Sequence, residues 1–136
     1  VVSIFTNLML KKQRVSIYGD GSDYRDYIYV NDVVNFIEKA LKKRISGVFN
    51  VGRGKSITTK KVFSDLSILL NYEEKPVYLP KREGDIKGIT LNVQKAFKEI
   101  EWKPEVNFIQ GLKLTISFFK SVNLNLKWCS FGWLII

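Results

Sequence analysis

The chain of 136 residues contains no histidine and a single cysteine, Cys129. One thiol cannot close an internal disulfide. Without imidazole, neither a zinc cluster nor a Ser-His-Asp or Cys-His catalytic device can be assembled. There is no amino-terminal signal pattern and no apolar run long enough to span a bilayer. The most apolar stretch, residues 124–136, is interrupted by Asn125, Lys127 and Gly132. These absences predict a soluble cytoplasmic protein with no membrane partner. Negative charge is also scarce. Asp plus Glu number 13 against 22 Lys plus Arg, a net charge of +9 that favours anionic partners such as nucleotides, nucleic acid or acidic lipid.

What the chain does contain suits one folded unit. An apolar content of 46% supports one sizeable core, and 136 residues are too few for two full domains. There is no internal repeat, low-complexity tract or flexible linker. Apolar residues at positions 1, 2, 4, 5, 8 and 9 predict an opening amphipathic helix. Residues 15–18 read as a short strand ended by Asp20-Gly21, a dipeptide suited to a tight turn. Residues 27–30 read as a second strand. Asn31 or Asp32 then caps a helix with Val33, Val34, Ile37, Ala40 and Leu41 on its buried side. Residues 48–51 read as a compact strand closed by Gly52-Arg-Gly54. Thr58 or Thr59 caps the next helix, which buries Val62, Phe63, Leu66 and Leu69 or Leu70. A strand at 76–79 follows. Asn92 caps a helix bearing Val93, Ala96, Phe97 and Ile100, and Asn107 begins a last one bearing Phe108, Leu112, Ile116 and Phe119. This alternation of strands and helices predicts an α/β fold.

Two arginines stand in distinctive surroundings. Arg25 lies within Gly19-Asp-Gly-Ser-Asp-Tyr-Arg-Asp-Tyr-Ile-Tyr-Val30, and Arg82 lies within Pro80-Lys-Arg-Glu-Gly-Asp85. A guanidinium fork meets two phosphate oxygens at once, so two forks converging on one pyrophosphate would both bind and orient it. The plainer account of Arg25 is a surface cation paired with Asp23 or Asp26. That of Asp85 is an exposed turn residue. Gly52-Arg-Gly-Lys-Ser56 invites a phosphate-loop reading. That motif needs a glycine five positions before Gly54, where Phe49 stands.

The two arginine segments resemble the carboxyl-terminal, nucleotide-sugar-binding half of NAD-dependent epimerases and dehydratases of the extended short-chain dehydrogenase/reductase family, with UDP-glucose 4-epimerase the nearest type. The resemblance implies a partial Rossmann sheet plus the small nucleotide-sugar-binding subdomain over residues 1–122, followed by an atypical apolar tail at 123–136. It implies a UDP-sugar or related nucleotide-sugar as ligand: Tyr18 stacking on the base, Arg25 and Arg82 holding the diphosphate, and Asp85 accepting from a ribose hydroxyl. It makes residues 49–56 a structural strand and turn, and Trp102 a cap of its helix against the core.

The family's NAD site needs a Gly-x-x-Gly-x-x-Gly turn, and its chemistry needs a tyrosine with a lysine four positions on. Neither occurs here. Four positions after Tyr18, Tyr24, Tyr27, Tyr29, Tyr72 and Tyr78 stand Ser22, Ile28, Asn31, Val33, Pro76 and Arg82. NAD is therefore implied for the complete enzyme, and neither cofactor nor catalytic residue is expected in this chain alone. An amino-terminal partner chain or self-association is expected to cover the surfaces left bare. Two other readings stand beside this one. The first is a basic nucleic-acid-binding module using lysines interleaved with Tyr18, Tyr24, Tyr27 and Tyr29, and the second is a non-functional remnant of a broken gene. The residues do not distinguish uracil from thymine, or one sugar from another.

Overall fold

A computed structural model describes residues 1–122 and the backbone of Trp133–Ile135. The remainder of the apolar tail, with Trp128, Cys129 and Phe131, lies outside the described residues, as does the side chain of Trp133. The elements run α1 (Val2–Leu10), β1 (Ser16–Tyr18), β2 (Tyr24–Tyr29), α2 (Val30–Lys42), β3 (Ser56–Thr58), α3 (Thr59–Leu70), β4 (Val77–Leu79), α4 (Gln94–Ile100), α5 (Phe108–Ser121) and β5 (Trp133–Ile135). The fold is α/β, with a partial parallel sheet in which β1 and β4 pair side by side. A second sheet has the order β3-β2-β5, with β2 antiparallel to both neighbours. Because β1 and β2 belong to different sheets, the Asp20-Gly21 turn does not close a hairpin between them.

Strand β2 forms the common wall of two cores, since successive side chains on a strand point to opposite faces. On one face Tyr27 packs among Val2, Phe5 and Met9 of α1, Ile17, Val62 and Leu66 of α3, and Phe108, Leu112 and Ile116 of α5. On the other, Ile28 packs with Phe36, Ala96, Ile100 and Trp102. Trp102 is buried and meets Phe36 edge to face with centroids 5.3 Å apart, which closes the end of α4 against this core.

Two helix starts agree with the expected capping chemistry: the Thr58 side chain accepts from Lys61 N, and Asn107 forms a reciprocal capping box with Gln110. At α4 the N-cap is Val93, with no side-chain cap, and the expected Asn92 stands one residue earlier, its Oδ1 accepting from Gln94 N at 3.0 Å. Helix α2 differs. Its N-cap is Tyr29, with no side-chain cap, because Asp32 turns inward to accept the backbone N–H groups of Glu105 and Val106 at 3.0 and 3.1 Å.

Two expectations fail together at α2. Its buried face carries Phe36, with Val33 and Ala40 half-buried, whereas Val34, Ile37 and Leu41 are 55%, 51% and 71% exposed. The predicted strand at 48–51 is not formed. Phe49 packs on Phe36, but Val48 is exposed and among the described residues no strand offers a ladder to this segment. Apolar patterning marks the surfaces that a chain can bury; the contacts that Lys95 of α4 makes to Val48 O at 3.0 Å and Asn50 to Asn92 O at 3.1 Å hold the 48–51 segment without forming a ladder, and Val34, Ile37 and Leu41 stay exposed. Phe97 is likewise exposed, as is Ile4 on α1.

The turn after this segment is built around a carboxylate. Asp26, fully buried in β2, accepts from Arg53 N at 2.9 Å, Gly54 N at 2.8 Å and Leu91 N at 3.3 Å. A Cβ on Gly52 would lie 2.8 Å from Leu91 Cδ1 and 2.9 Å from Asp26 Oδ2, so only glycine lets the backbone wrap this closely. Asp26→Ala removes the acceptor of three part-buried backbone N–H groups, and a hydrogen bond to a charged group contributes about 1.5–3 kcal/mol. Urea denaturation is expected to show a loss of about 3 kcal/mol or more; a loss below about 1 kcal/mol would contradict the structural role.

Candidate functional site

Parallel pairing of β1 with β4 sets Tyr18 opposite Leu79, and Gly19 N donates to Leu79 O at 2.9 Å. That register delivers the segment after β4 directly to Tyr18. The guanidinium carbon of Arg82 lies 3.7 Å from the centroid of the Tyr18 ring, a close cation–π contact. Lys81 reaches back to Asp23 at 3.7 Å. The loop then turns over residues 82–85, with Asp85 N donating to Arg82 O at 3.4 Å and Gly84 at φ +82°. A positive φ at the third position of a turn is where glycine costs least. Asp85 is exposed at the end of this turn.

The far end of the loop is held on β2. Tyr24 N donates to Lys87 O at 3.0 Å, Ile89 N donates to Tyr24 O at 3.3 Å, and the Tyr24 ring lies so flat on Gly88 that a Cβ there would fall 2.5 Å from it. Residues 80–88 therefore form an arch from Tyr18 to the residue beside Arg25. Arg25 is half-buried and donates from Nη1 to Tyr24 O at 2.7 Å. Its positive charge counters part of the effect of burial on Tyr27, whose hydroxyl is nevertheless pushed up to about 12.

The plainer account of Arg25 fails on these contacts. Asp26 is consumed by the Gly52–Gly54 turn and Leu91, and Asp23 pairs with Lys81. Among the described residues Arg25 has no ion pair, nor has Arg82. The structure thus brings Tyr18 and Arg82 into contact, puts Asp85 on the same arch, and places Arg25 beside the arch's second foot. The residue that sequence reasoning missed is Asp26. The available signal was the glycine turn itself, whose converging amides call for an anion.

The phosphate-loop reading of Gly52–Ser56 is now answered from geometry. The amides that would cradle a phosphate already hold the Asp26 carboxylate. Strand β3 separates the turn from the start of α3, so Lys55 and Ser56 do not sit at a helix N-terminus. The same occupancy makes this turn unfit for the pyrophosphate of a dinucleotide. Among the described residues there is no group of three or more His, Cys, Asp or Glu placed to hold a metal ion, and no helix is long and apolar enough to cross a membrane.

A family model described as GDP-mannose 4,6 dehydratase matches residues 1–115. The chain belongs to the epimerase/dehydratase family. UDP-glucose 4-epimerase from Mycolicibacterium smegmatis is 33% identical over 122 residues, covering 89% of this chain and 39% of that protein. Among solved structures, UDP-glucose 4-epimerase with UDP-glucose from Thermotoga maritima superposes with a TM-score of 0.83 at 40% identity, over 88% of this chain and 39% of that one. The Thermus thermophilus UDP-glucose 4-epimerase complex with NAD gives 0.80 at 32% identity, over 90% and 40%. The chain thus spans about 40% of the length of the relatives it matches, consistent with the carboxyl-terminal part of an epimerase/dehydratase.

Proposed function

We propose that this chain supplies the nucleotide-sugar grip of a UDP-glucose 4-epimerase-like enzyme. Arg25 and Arg82 hold the diphosphate from the two feet of the 80–88 arch, the aromatic surface of Tyr18 takes the base, and Asp85 accepts from a ribose hydroxyl. The observation that carries the proposal is the cross-strand meeting of Arg82 with Tyr18, beside an Arg25 whose two neighbouring acids are engaged elsewhere. Cations without acid partners are the ones able to bind an incoming anion. A fixed diphosphate would let the sugar turn between oxidation and reduction of its carbon 4 on a nicotinamide cofactor. That step belongs to the complete enzyme, since this chain's own glycine turn is filled by Asp26 and it has no Tyr-x-x-x-Lys pair.

The NAD-binding portion of the fold docks, in this proposal, on the exposed face of α2 formed by Val34, Ile37 and Leu41, together with Val48 in the strand-like segment beside it. Support comes from the bare apolar stripe, a 48–51 segment outside any strand ladder among the described residues, and coverage of 39% and 40% of the two epimerase structures. In a pull-down with the amino-terminal portion of the Thermotoga maritima epimerase, Leu41→Lys is expected to abolish capture. Capture unchanged by that substitution would remove α2 from the interface.

Calorimetric titration with UDP-glucose tests the grip itself. The folded wild-type chain is expected to bind, and Arg25→Ala and Arg82→Ala each to weaken binding about tenfold or more, since a charge-assisted bidentate contact contributes about 1.5–3 kcal/mol. Absence of heat at millimolar ligand, with the fold verified by circular dichroism, would overturn the proposal.

A further inference from the structure

Tyr18 has two ring faces, and one is already spoken for. The Arg82 guanidinium lies on it at 3.7 Å, while the residue as a whole keeps 37% of its surface exposed. Arg82 follows β4 by three residues, in an exposed loop whose backbone is tied to the sheets where it leaves β4 and where it meets β2, with one internal bond from Asp85 N to Arg82 O. Among the described residues the Arg82 side chain has no hydrogen bond or ion pair, and its guanidinium rests on the Tyr18 ring. A long, rotamer-rich side chain pays entropy for each orientation it gives up on binding, so a contact that orients it beforehand improves the use of its fork.

We infer that Tyr18 is a positioning residue for Arg82, acting as a pedestal that sets the guanidinium for phosphate before any ligand arrives. This role is separate from stacking on a base, and rests on the nucleotide-sugar reading above only for the identity of the anion. The parallel β1–β4 register is what supplies it: Tyr18 is the last residue of β1, paired with Leu79, so the pedestal stands at the point where the loop carrying Arg82 emerges. Lys81, tied to Asp23, holds the adjacent residue of the loop over the same turn. A ring is required and its hydroxyl is not, because the attraction is between the cation and the π face.

Inorganic pyrophosphate separates the two roles, since it has the phosphates and no base. In the full chain, Tyr18→Leu is expected to weaken pyrophosphate by about three- to fivefold, the scale of an exposed cation–π contact, and UDP by more, since UDP also loses the stacking of its base. Tyr18→Phe is expected to bind both within about twofold of wild type. Arg82→Gln should cost less in the Tyr18→Leu background than in wild type, the non-additivity that marks two residues acting as a unit. Without any ligand, the Arg82 δ-methylene protons should resonate upfield under the ring current and return to ordinary positions in Tyr18→Leu. Pyrophosphate affinity unchanged in Tyr18→Leu, with UDP affinity reduced, would overturn the pedestal and leave Tyr18 a base-stacking residue. A wild-type chain that shows the upfield shift yet binds neither ligand would instead overturn the nucleotide-sugar reading and, with it, the functional role of the pair.

Discussion

The interaction on which the rest of the molecule depends is the capture of the Asp26 carboxylate by backbone amides from two distant segments. Asp26 belongs to the strand that separates the two cores, so its hydrogen bonds to Arg53, Gly54 and Leu91 fasten the turn before β3 and the approach to α4 onto one rigid line. An ionised acceptor makes these bonds stronger than neutral ones. Burial makes their loss costly. Asp32, six residues on, repeats the device toward Glu105 and Val106, and so sets the entry to α5. Two buried acids thereby organise loops that have little apolar surface of their own.

Consumption of Asp26 in this way also shapes the site. It removes the acid immediately following Arg25 in sequence, and the Lys81–Asp23 pair removes the one two positions before it. A cation flanked by aspartates would ordinarily be partly neutralised. Here the neighbours serve the scaffold, so Arg25 has no ion pair among the described residues. The parallel register of β1 and β4 then adds Arg82, and the backbone of Tyr24 anchors the other end of its loop. The proposed phosphate grip is consequently a matter of two strands and one arch. The glycine turn that most suggests it in the sequence is an internal clasp.

Much of this was legible in advance, wherever the signal was local. Caps at Thr58 and Asn107 depend on side chains reaching amides three residues away, and the structure agrees with them. The apolar faces of α3 and α5 follow from helical spacing alone, and Val62, Leu66, Phe108, Leu112 and Ile116 are buried as expected. The illegible parts are those where periodicity promises a partner that the described fold does not supply. Val34, Ile37 and Leu41 have the spacing of a buried face and lie open, and residues 48–51 have strand composition without a ladder. Asp26 was misjudged for the opposite reason. Its partners are 27, 28 and 65 residues away, beyond the reach of any local pattern. Of the site, the identities of Tyr18, Arg25, Arg82 and Asp85 came from motif resemblance, while the contact between Tyr18 and Arg82 required the strand register.

Amide chemical-shift mapping of the isotopically labelled chain with UDP tests the central claim most directly, because the two anion-binding candidates lie on different segments. Perturbations concentrated at residues 18–25 and 81–85, with the amides of Arg53 and Gly54 unmoved in their bonds to Asp26, are the predicted result. Perturbations centred on 52–56, or none at saturating ligand, would contradict the account of an arginine grip built on an internally clasped fold.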